Sequence, residues 1–376
     1  MAPLPISQFE VQLPQLITLI EDLVLIESPT TSKSGLDELG RFVSTEMEAR
    51  GARVRTDEQT KAGNHQIGAW GEGGGGLLLL AHLDTVHPLG SLDPMPFEKR
   101  ENRLFGPGVQ DMKASIAMAL TAIEILGQNK KLGKNNVTLL CTSDEETGSR
   151  TSQSLIEQMA LEHELVLCLE PALPGGDLKT WRKGTLAFRV EAIGKAAHAG
   201  SNIKDGVNAI LEMTRQIPGI IALADENAET TINAGVIQGG TRSNVVPDLC
   251  WLKVDVRAKT KDEGDRVEAA MLALEPILDG AEIRVKGGWN RPPMERNEQM
   301  LKTFKRAQGI ANDLGVSVSE GGTGGGSDAN FVAALGVPVL DGLGAIGTGA
   351  HTKHEQIEIA SLAERTALMA ALISEW

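Results

Sequence analysis

The sequence lacks a long apolar run, an excess of basic residues and an even set of cysteines. No apolar run approaches the length that is needed to span a bilayer, so we expect no membrane-spanning segment and no membrane partner. The first ten residues, MAPLPISQFE, carry neither the basic nor the apolar region of a secretory signal, and we expect none.

Charge and cysteine content narrow the class of protein further. The net charge is −14, from 36 Lys and Arg against 50 Asp and Glu, so the basic face that nucleic acid requires is not visible. The three cysteines, Cys141, Cys168 and Cys250, are odd in number and lie in strand-like apolar runs. This pattern disfavours a disulfide framework and favours a reducing cytoplasm.

The length and the outer segments predict the main fold. At 376 residues the chain exceeds what one hydrophobic core usually serves, so two domains are expected. Helical patterns cover residues 15–26, 36–50, 111–126, 297–314 and 360–374, and apolar strand patterns cover 77–80, 137–141, 165–169 and 337–340. Strands separated by helices predict an α/β domain with a mostly parallel sheet.

The middle of the chain has a different pattern. It is predicted to form a strand at 185–194, a helix at 205–222, strands at 230–239 and 248–258, a helix at 261–278 and a strand at 281–287. This β-α-β-β-α-β order is ferredoxin-like. We therefore predict an inserted domain at 184–289, hinges at 171–184 and 287–293, and an outer domain formed by 1–183 and 290–376.

Acidic and imidazole side chains follow the predicted buried strands. His82 and Asp84 end the first strand, Glu145 and Glu146 follow the second, and Glu170 follows the third. Side chains two apart on a strand point to the same face, and the carboxyl ends of parallel strands share one edge where sites are usually found.

Each of these residues also has a plain structural interpretation. A lone Glu after a strand is most often a solvated loop residue, and Asp111, at the start of a predicted helix, has the position of an N-cap. Several carboxylates that converge would repel one another unless a cation neutralises them. Mixed imidazole and carboxylate donors suit Zn²⁺ better than Mg²⁺ or Ca²⁺. His351 and His354, three residues apart, are further candidate ligands.

Nine motifs in order make the chain resemble a known family. They are AHLDTV (81–86), GPGVQDMKAS (106–115), TSDEETGS (142–149), LEP (169–171), GKAAHAG (194–200), SNVVP (243–247), VDVRA (254–258), TGGGSDAN (323–330) and HTKHE (351–355). The pattern resembles the two-zinc metallopeptidases that include glutamate carboxypeptidase, acetylornithine deacetylase and succinyl-diaminopimelate desuccinylase. TGGGSDAN is most similar to the glutamate carboxypeptidase branch.

The resemblance implies a role for each candidate in the outer, zinc-peptidase domain. Asp111 is implied to bridge two Zn²⁺ ions, with Co²⁺ or Mn²⁺ as substitutes. His82 and Glu170 complete one ion; Glu146 and His351 complete the other, which leaves His354 as a surface residue. Asp84 is implied to orient His82, and Glu145 to be the general base. The family also has a cis peptide bond after the bridging Asp.

For the inserted domain the resemblance implies substrate contacts and dimerisation. His198 is implied to enter the partner subunit's site and polarise the scissile carbonyl, while Asn244 and Arg257 bind the substrate carboxylate. Gly325 is a further candidate through its backbone N–H, and Arg291 a candidate for a second carboxylate. The inserted domain is implied to act as a lid and to pair with its copy in a homodimer. Without the resemblance, Arg257 is equally well an exposed charge on a strand.

These expectations describe a zinc-dependent hydrolase of amide bonds. We expect a carboxypeptidase that releases a C-terminal amino acid, such as glutamate, from a peptide or N-acyl amino acid. The alternative within the class is a biosynthetic N-acetyl or N-succinyl amino-acid deacylase. Two hypotheses from other classes are a binding protein that keeps the fold without catalysis and a two-metal phosphatase. Loss of Glu145 or of a ligand would favour the binding protein, but Glu145 and every candidate ligand are present. Phosphoester cleavage without amide cleavage would identify the phosphatase.

Overall fold

The fold is taken from a computed structural model that describes residues 3–71, 75–132 and 136–376. The α-helices are α1 (Ser7–Val11), α2 (Leu13–Leu25), α3 (Lys33–Ala49), α4 (Ala114–Gln128), α5 (Gln153–Leu161), α6 (Ala209–Ile221), α7 (Lys261–Leu272), α8 (Glu298–Asp313), α9 (Ala329–Ala334) and α10 (Ile359–Glu375). The strands are β1 (Arg53–Asp57), β2 (His65–Trp70), β3 (Leu77–His82), β4 (Glu98–Arg100), β5 (Arg103–Phe105), β6 (Val137–Thr142), β7 (Leu165–Cys168), β8 (Leu178–Arg182), β9 (Gly184–Ile193), β10 (Thr231–Gly239), β11 (Leu249–Ala258), β12 (Glu282–Arg291), β13 (Glu320–Thr323), β14 (Val339–Leu340), β15 (Gly347–Thr348) and β16 (Gln356–Glu358).

The chain forms two compact units. The first comprises the chain up to Trp181 together with Arg296–Gly322 and Ser327–Trp376. The second comprises Arg182–Glu295 together with Thr323–Gly326.

The first unit is organised by a six-stranded sheet with the order β1-β2-β6-β3-β7-β14. Strands β6, β3, β7 and β14 run parallel, while β1 and β2 add an antiparallel edge. Every residue of β3, β6 and β7 is buried, because helices cover both faces of a parallel sheet. The carboxyl ends of these three strands lie at one edge, which confirms the predicted α/β class.

The second unit has a four-stranded antiparallel sheet with the order β10-β11-β9-β12, against which α6 and α7 pack. Burial alternates along β11, where alternate residues from Cys250 to Ala258 are buried in the core below the two helices. This period of two is that of a sheet with one covered face. The observed β-α-β-β-α-β order confirms the ferredoxin-like prediction.

Several predicted bounds differ from those in the structure. The helix predicted at 261–278 ends at Leu272, since Pro276 has no N–H for a helical bond and restricts the residue before it. The helix predicted from Asp111 begins at Ala114. Strand β8 lies inside the predicted hinge 171–184, and β12 continues to Arg291 through part of the second one.

The three cysteines belong to the buried core. Cys141, Cys168 and Cys250 are all buried and form no disulfide among the described residues, and burial raises the pKa of Cys141 to about 12. Within the described residues, none of the helices has the length and apolarity required to cross a bilayer.

Candidate active site

His82 is the last residue of the buried strand β3. Its Nδ1 lies 2.9 Å from the backbone carbonyl oxygen of Asp84 and 3.5 Å from the Asp84 carboxylate. The carbonyl is therefore the nearer partner of the ring N–H, and Nε2 is directed toward other residues. The predicted orienting contact with the Asp84 side chain exists but is the longer of the two.

The Asp84 carboxylate also holds the turn that carries Glu145 and Glu146. One carboxylate oxygen accepts the backbone N–H of Glu145 and the other that of Glu146, each at 3.1 Å. The second oxygen also accepts the hydroxyl of Thr30 at 2.7 Å. Asp84 is fully buried, so these bonds connect the end of β3 to the turn after β6.

Asp111 lies between two imidazoles. One of its carboxylate oxygens is 3.1 Å from His82 Nε2, and the other is 3.4 Å from His351 Nε2. Its backbone is not helical (φ −121°, ψ 89°), and the Asp111–Met112 peptide bond is cis, as the resemblance implied. Asp111 precedes α4 by three residues and does not cap it, so the N-cap interpretation was wrong.

His351 and Glu146 meet on the far side of Asp111. His351 Nε2 lies 3.3 Å from a carboxylate oxygen of Glu146. His351 has a φ of +63°, which is uncommon for a residue with a Cβ, and its side chain is 53% exposed. His354 is exposed, as predicted, and lies in the turn that follows.

Glu170 and Glu145 complete the cluster. A carboxylate oxygen of Glu170 lies 3.7 Å from His82 Nε2. Potential ligand atoms of His82, Glu145 and Glu170 lie within 4.8 Å of one another, and so do those of His82, Asp111 and Glu146. The structure thus brings together all six side chains predicted to hold or act beside metal: His82, Asp111, Glu145, Glu146, Glu170 and His351.

The carboxylates and imidazoles of the cluster shift one another's pKa values. Hydrogen bonds to Asp111 and Glu146 raise the pKa of His351 to about 10. Burial lowers the pKa of His82, but hydrogen bonds to the Asp111 and Asp84 carboxylates more than offset this effect and hold that pKa well above its usual value. Burial raises the pKa of Asp111, yet the two imidazoles lower it further than burial raises it.

The donor set fits divalent cations. Buried carboxylates are costly unless a cation neutralises them, and the raised pKa values of His82 and His351 favour positive charge beside them. Glu146 Oε1 is buried, and no donor among the described residues reaches it. A carboxylate oxygen in this state beside imidazole nitrogens is an arrangement that a divalent cation would complete.

In the second unit, His198 and Asn244 are held together by backbone pairing. The Ala199 N–H donates to the Asn244 carbonyl at 3.0 Å, and His198 pairs with Val245 in an antiparallel bridge. His198 Nδ1 accepts the N–H groups of Gly200 and Ser201, each at 3.1 Å. In the neutral ring the proton is therefore on Nε2, which makes the exposed end of His198 a hydrogen-bond donor.

Arg257 and Gly325 already have partners inside the second unit. Arg257 Nε and Nη2 donate to the two carboxylate oxygens of Asp255 at 2.8 and 3.0 Å, and Nη1 takes no part in this pair. The Gly325 N–H donates to the Thr323 hydroxyl at 3.3 Å, and its carbonyl accepts from Arg182. Arg291 is buried and donates to Asn290 at 3.4 Å.

Glu355, Gln110 and His87 had no predicted role, although all three are buried. The Glu355 carboxylate accepts the backbone N–H of Asp111 at 3.0 Å and lies 2.6 Å from His87 Nε2. The sequence signal for Glu355 was its place in the motif HTKHE (351–355), which gave it no role. The pairing of Arg257 with Asp255 was predictable, because residues two apart on a strand share a face.

The chain is similar in sequence to known proteins. Residues 78–375 match the model of peptidase family M20/M25/M40. The chain is 31% identical over 373 residues to Carboxypeptidase G2 of Pseudomonas sp. (strain RS-16), which covers 96% of this chain and 89% of that protein. It is 29% identical over 271 residues to acetylornithine deacetylase of Edwardsiella ictaluri (strain 93-146), or 65% of this chain and 68% of that protein.

The fold has close structural counterparts. The crystal structure of aminopeptidase PepT from Bacillus cereus ATCC 10987 superposes with a TM-score of 0.81 and 24% identity. The superposition covers 96% of this chain and 98% of that one. Both units therefore have counterparts in one solved structure.

Proposed function

Because the chain belongs to peptidase family M20/M25/M40, whose members are metal-dependent hydrolases of amide bonds, we propose that it is a carboxypeptidase with two zinc ions in each subunit. In this proposal it releases a C-terminal, glutamate-like amino acid from a small peptide or N-acyl amino acid. The similarity to a protein named Carboxypeptidase G2 supports this choice among amide substrates.

The observation that carries the proposal is the position of Asp111. Its two carboxylate oxygens approach His82 Nε2 and His351 Nε2 at 3.1 and 3.4 Å. One carboxylate with an imidazole on either side is the arrangement expected of a group that bridges two ions.

The ligands divide into two sets around Asp111. We assign His82 and Glu170 to one ion and Glu146 and His351 to the other, in line with their separations of 3.7 and 3.3 Å. When bound, such ions lower the pKa of a water toward about 7 and polarise the scissile carbonyl.

Glu145 is assigned the proton transfers. Its carboxylate lies with His82 and Glu170 and is largely buried, which suits a general base. It would accept a proton from the attacking water and return that proton to the leaving amine. Asp84, which accepts the Glu145 N–H, holds the backbone of Glu145 in place.

His198 is assigned to the scissile carbonyl in the partner subunit's site. Its Nδ1 is occupied by two backbone N–H groups, so Nε2 is the donor that can stabilise the developing oxyanion. We propose that the second unit is a lid and dimerisation domain and that the enzyme is a homodimer. Support comes from β10, an edge strand on which Val236 and Ile237 are 50% and 51% exposed.

The substrate carboxylate is assigned to Asn244, Arg257 and Gly325. Asn244 is exposed beside His198 in the second unit, and Arg257 offers Nη1 while Asp255 holds the rest of its guanidinium. A guanidinium fixed in this way is preorganised for a carboxylate. Arg291 is proposed for a second carboxylate, as a glutamate side chain would require.

We also propose a cytoplasmic location, since three buried cysteines that form no disulfide among the described residues suit a reducing compartment. The second candidate function is a biosynthetic N-acetyl or N-succinyl amino-acid deacylase, which the similarity to acetylornithine deacetylase favours. The two differ in the group that the enzyme must recognise: a C-terminal amino acid in one case, a small acyl group in the other.

A substrate panel separates these functions. Peptides and N-acyl amino acids that end in glutamate, each as the free acid and as the C-terminal amide, are compared with N-acetyl- and N-succinyl-ornithine or -diaminopimelate. We expect turnover of free-acid substrates ending in glutamate and none of their amides. Turnover confined to the ornithine or diaminopimelate derivatives would replace the carboxypeptidase with the deacylase.

A further inference from the structure

A buried carboxylate outside the proposed ligand set accepts three backbone N–H groups of the loop that carries Asp111. One oxygen of Glu355 accepts the backbone N–H groups of Gln110 and Asp111 at 2.8 and 3.0 Å. The other accepts the N–H of Gly108 at 2.9 Å and lies 2.6 Å from His87 Nε2. Glu355 is 1% exposed, so these four groups surround the carboxylate in place of water.

A further hydrogen bond joins the same two segments in the opposite direction. Gln110, which donates its N–H to Glu355, accepts the N–H of Ala350 through its side-chain oxygen at 3.1 Å. Ala350 directly precedes His351, and Glu355 follows His351 by four residues. The segment that carries Asp111 and the segment that carries His351, about 240 residues apart in the chain, are thus joined by hydrogen bonds in both directions.

The loop has little freedom to adopt another path. Gly108 has a φ of +72°, and a Cβ at this position would lie 2.5 Å from the Thr85 methyl group. The N–H groups that Glu355 accepts therefore belong to a backbone that is closely confined by its neighbours. The position of the Asp111 carboxylate follows from where that backbone is held.

From this arrangement we propose that Glu355, together with Gln110, is a positioning residue that sets the separation of Asp111 and His351 and so determines the affinity of the site for divalent metal. The inference rests on the proposed two-metal function. His87 is the fourth partner of the Glu355 carboxylate and orients it. None of these three side chains is proposed to touch metal or substrate.

The amide analogue tests the role of the carboxylate. In Glu355→Gln one oxygen becomes an NH2 group. If it replaces the oxygen beside His87, the imidazole can change tautomer and accept, but the Gly108 N–H loses its acceptor. If it replaces the other oxygen, the N–H groups of Gln110 and Asp111 both lose theirs. We expect the zinc Kd of the metal-free protein, measured by competition with a chromophoric chelator, to weaken by about 10- to 100-fold.

A second variant removes the other hydrogen bond that joins the same two segments. Gln110→Met keeps the size of the side chain but removes the acceptor for the Ala350 N–H. We expect a weaker zinc Kd here as well, a changed visible absorption spectrum of the cobalt-loaded protein, and an unchanged KM for substrate. In the double variant the loss should be smaller than the product of the single losses, since both changes loosen the connection between the same two segments.

Glu212 provides a matched control. It is also a fully buried Glu whose carboxylate accepts two backbone N–H groups, those of Ile277 and Leu278 at 2.9 and 2.7 Å, but it lies in the second unit. Glu212→Gln should lower the melting temperature and leave the zinc Kd and the cobalt spectrum unchanged. A merely structural Glu355 would behave in the same way.

The outcomes are distinct. If Glu355→Gln and Gln110→Met lower the melting temperature as Glu212→Gln does but bind zinc as tightly as the unmodified protein, the positioning role is overturned while the proposed function stands. If Glu355→Gln does not fold, Gln110→Met alone decides. An unmodified protein that binds no zinc would overturn both proposals.

Discussion

The Asp84 carboxylate accepts the backbone N–H of Glu145 at 3.1 Å. The same carboxylate accepts the N–H of Glu146 through its other oxygen. Since Asp84 also follows His82 at the end of β3, one buried side chain connects three of the residues assigned to the active site. It acts on the position of the glutamates as well as on the orientation of His82.

The first prediction concerns Asp84→Asn. The amide must turn its NH2 group toward at least one of the donors that the carboxylate accepts. Because a buried donor without an acceptor is costly, we expect the free energy of unfolding to fall by about 1–3 kcal/mol. We also expect kcat to fall about 10- to 100-fold, since Glu145 and Glu146 lose their fixed positions. Urea denaturation and steady-state kinetics measure the two effects.

Thr30→Val is the control for Asp84→Asn. It removes only the 2.7 Å bond from the Thr30 hydroxyl to Asp84. A bond to a charged acceptor contributes about 1.5–3 kcal/mol, so stability should fall by a similar amount while kcat stays unchanged. Equal losses of kcat in both variants would contradict the assigned role of Asp84.

The second prediction separates the general base from the ligands. Glu145→Gln should retain both metal ions and lose at least about 10²-fold in kcat, the usual size of a general-base contribution. Glu170→Gln should instead lose metal. A folded, metal-loaded Glu145→Gln with full activity would remove Glu145 from the mechanism, and one that lost metal would make it a ligand.

The third prediction tests whether His198 acts in the partner subunit's site. His198→Ala and Glu145→Gln should each be nearly inactive alone. When the two are unfolded and refolded together, mixed dimers should contain one site with both groups, which restores roughly a quarter of the activity for a symmetric two-site dimer. No recovery, with mixed dimers demonstrated by a tag on one variant, would place His198 outside the partner's site.

Sequence patterns predicted the frame of the molecule well, for identifiable reasons. Strands β3, β6 and β7 are uninterrupted apolar runs, and such runs form the buried centre of a parallel sheet. Their last residues show where the polar groups that follow must converge. The strands of the second unit were equally recognisable, because apolar residues alternate with polar ones in strands such as β11, in line with the alternating burial there.

What sequence patterns did not predict depends on contacts between distant segments. Glu355 lies in a polar stretch and is buried only because a loop about 245 residues earlier in the chain presents its N–H groups there. The dual role of Asp84 depends in the same way on the turn after β6. Neither contact has a periodic or local signal.

The fourth prediction concerns the protons that zinc displaces from His82 and His351. In the metal-free protein the pKa of His351 is about 10, and that of His82 is well above its usual value. Both rings therefore carry protons at pH 7, whereas metal ligation requires neutral imidazole. Zinc binding at pH 7 should release about two protons, and affinity should rise with pH until about pH 10, where His351 loses its proton. Calorimetry in buffers of different ionisation enthalpy measures the release.

The same pKa shift has an opposite consequence for the stability of the metal-free protein. A histidine whose folded pKa is raised stabilises the fold fully below its unfolded value of 6.5, and the effect is lost as pH rises toward about 10. Stabilisation by zinc should therefore increase over this range. Zinc binding without proton release would contradict the assignment of the two histidines as ligands.

The central claim is that His82, Asp111, Glu145, Glu146, Glu170 and His351 converge because divalent cations lie among five of them. The most direct measurement is the metal content per chain of the purified protein, combined with amide hydrolysis before chelation, after chelation and after zinc is restored. We predict about two equivalents of metal, loss of turnover on chelation and recovery with zinc. A protein that contains no metal and hydrolyses amides equally well after chelation would contradict the account.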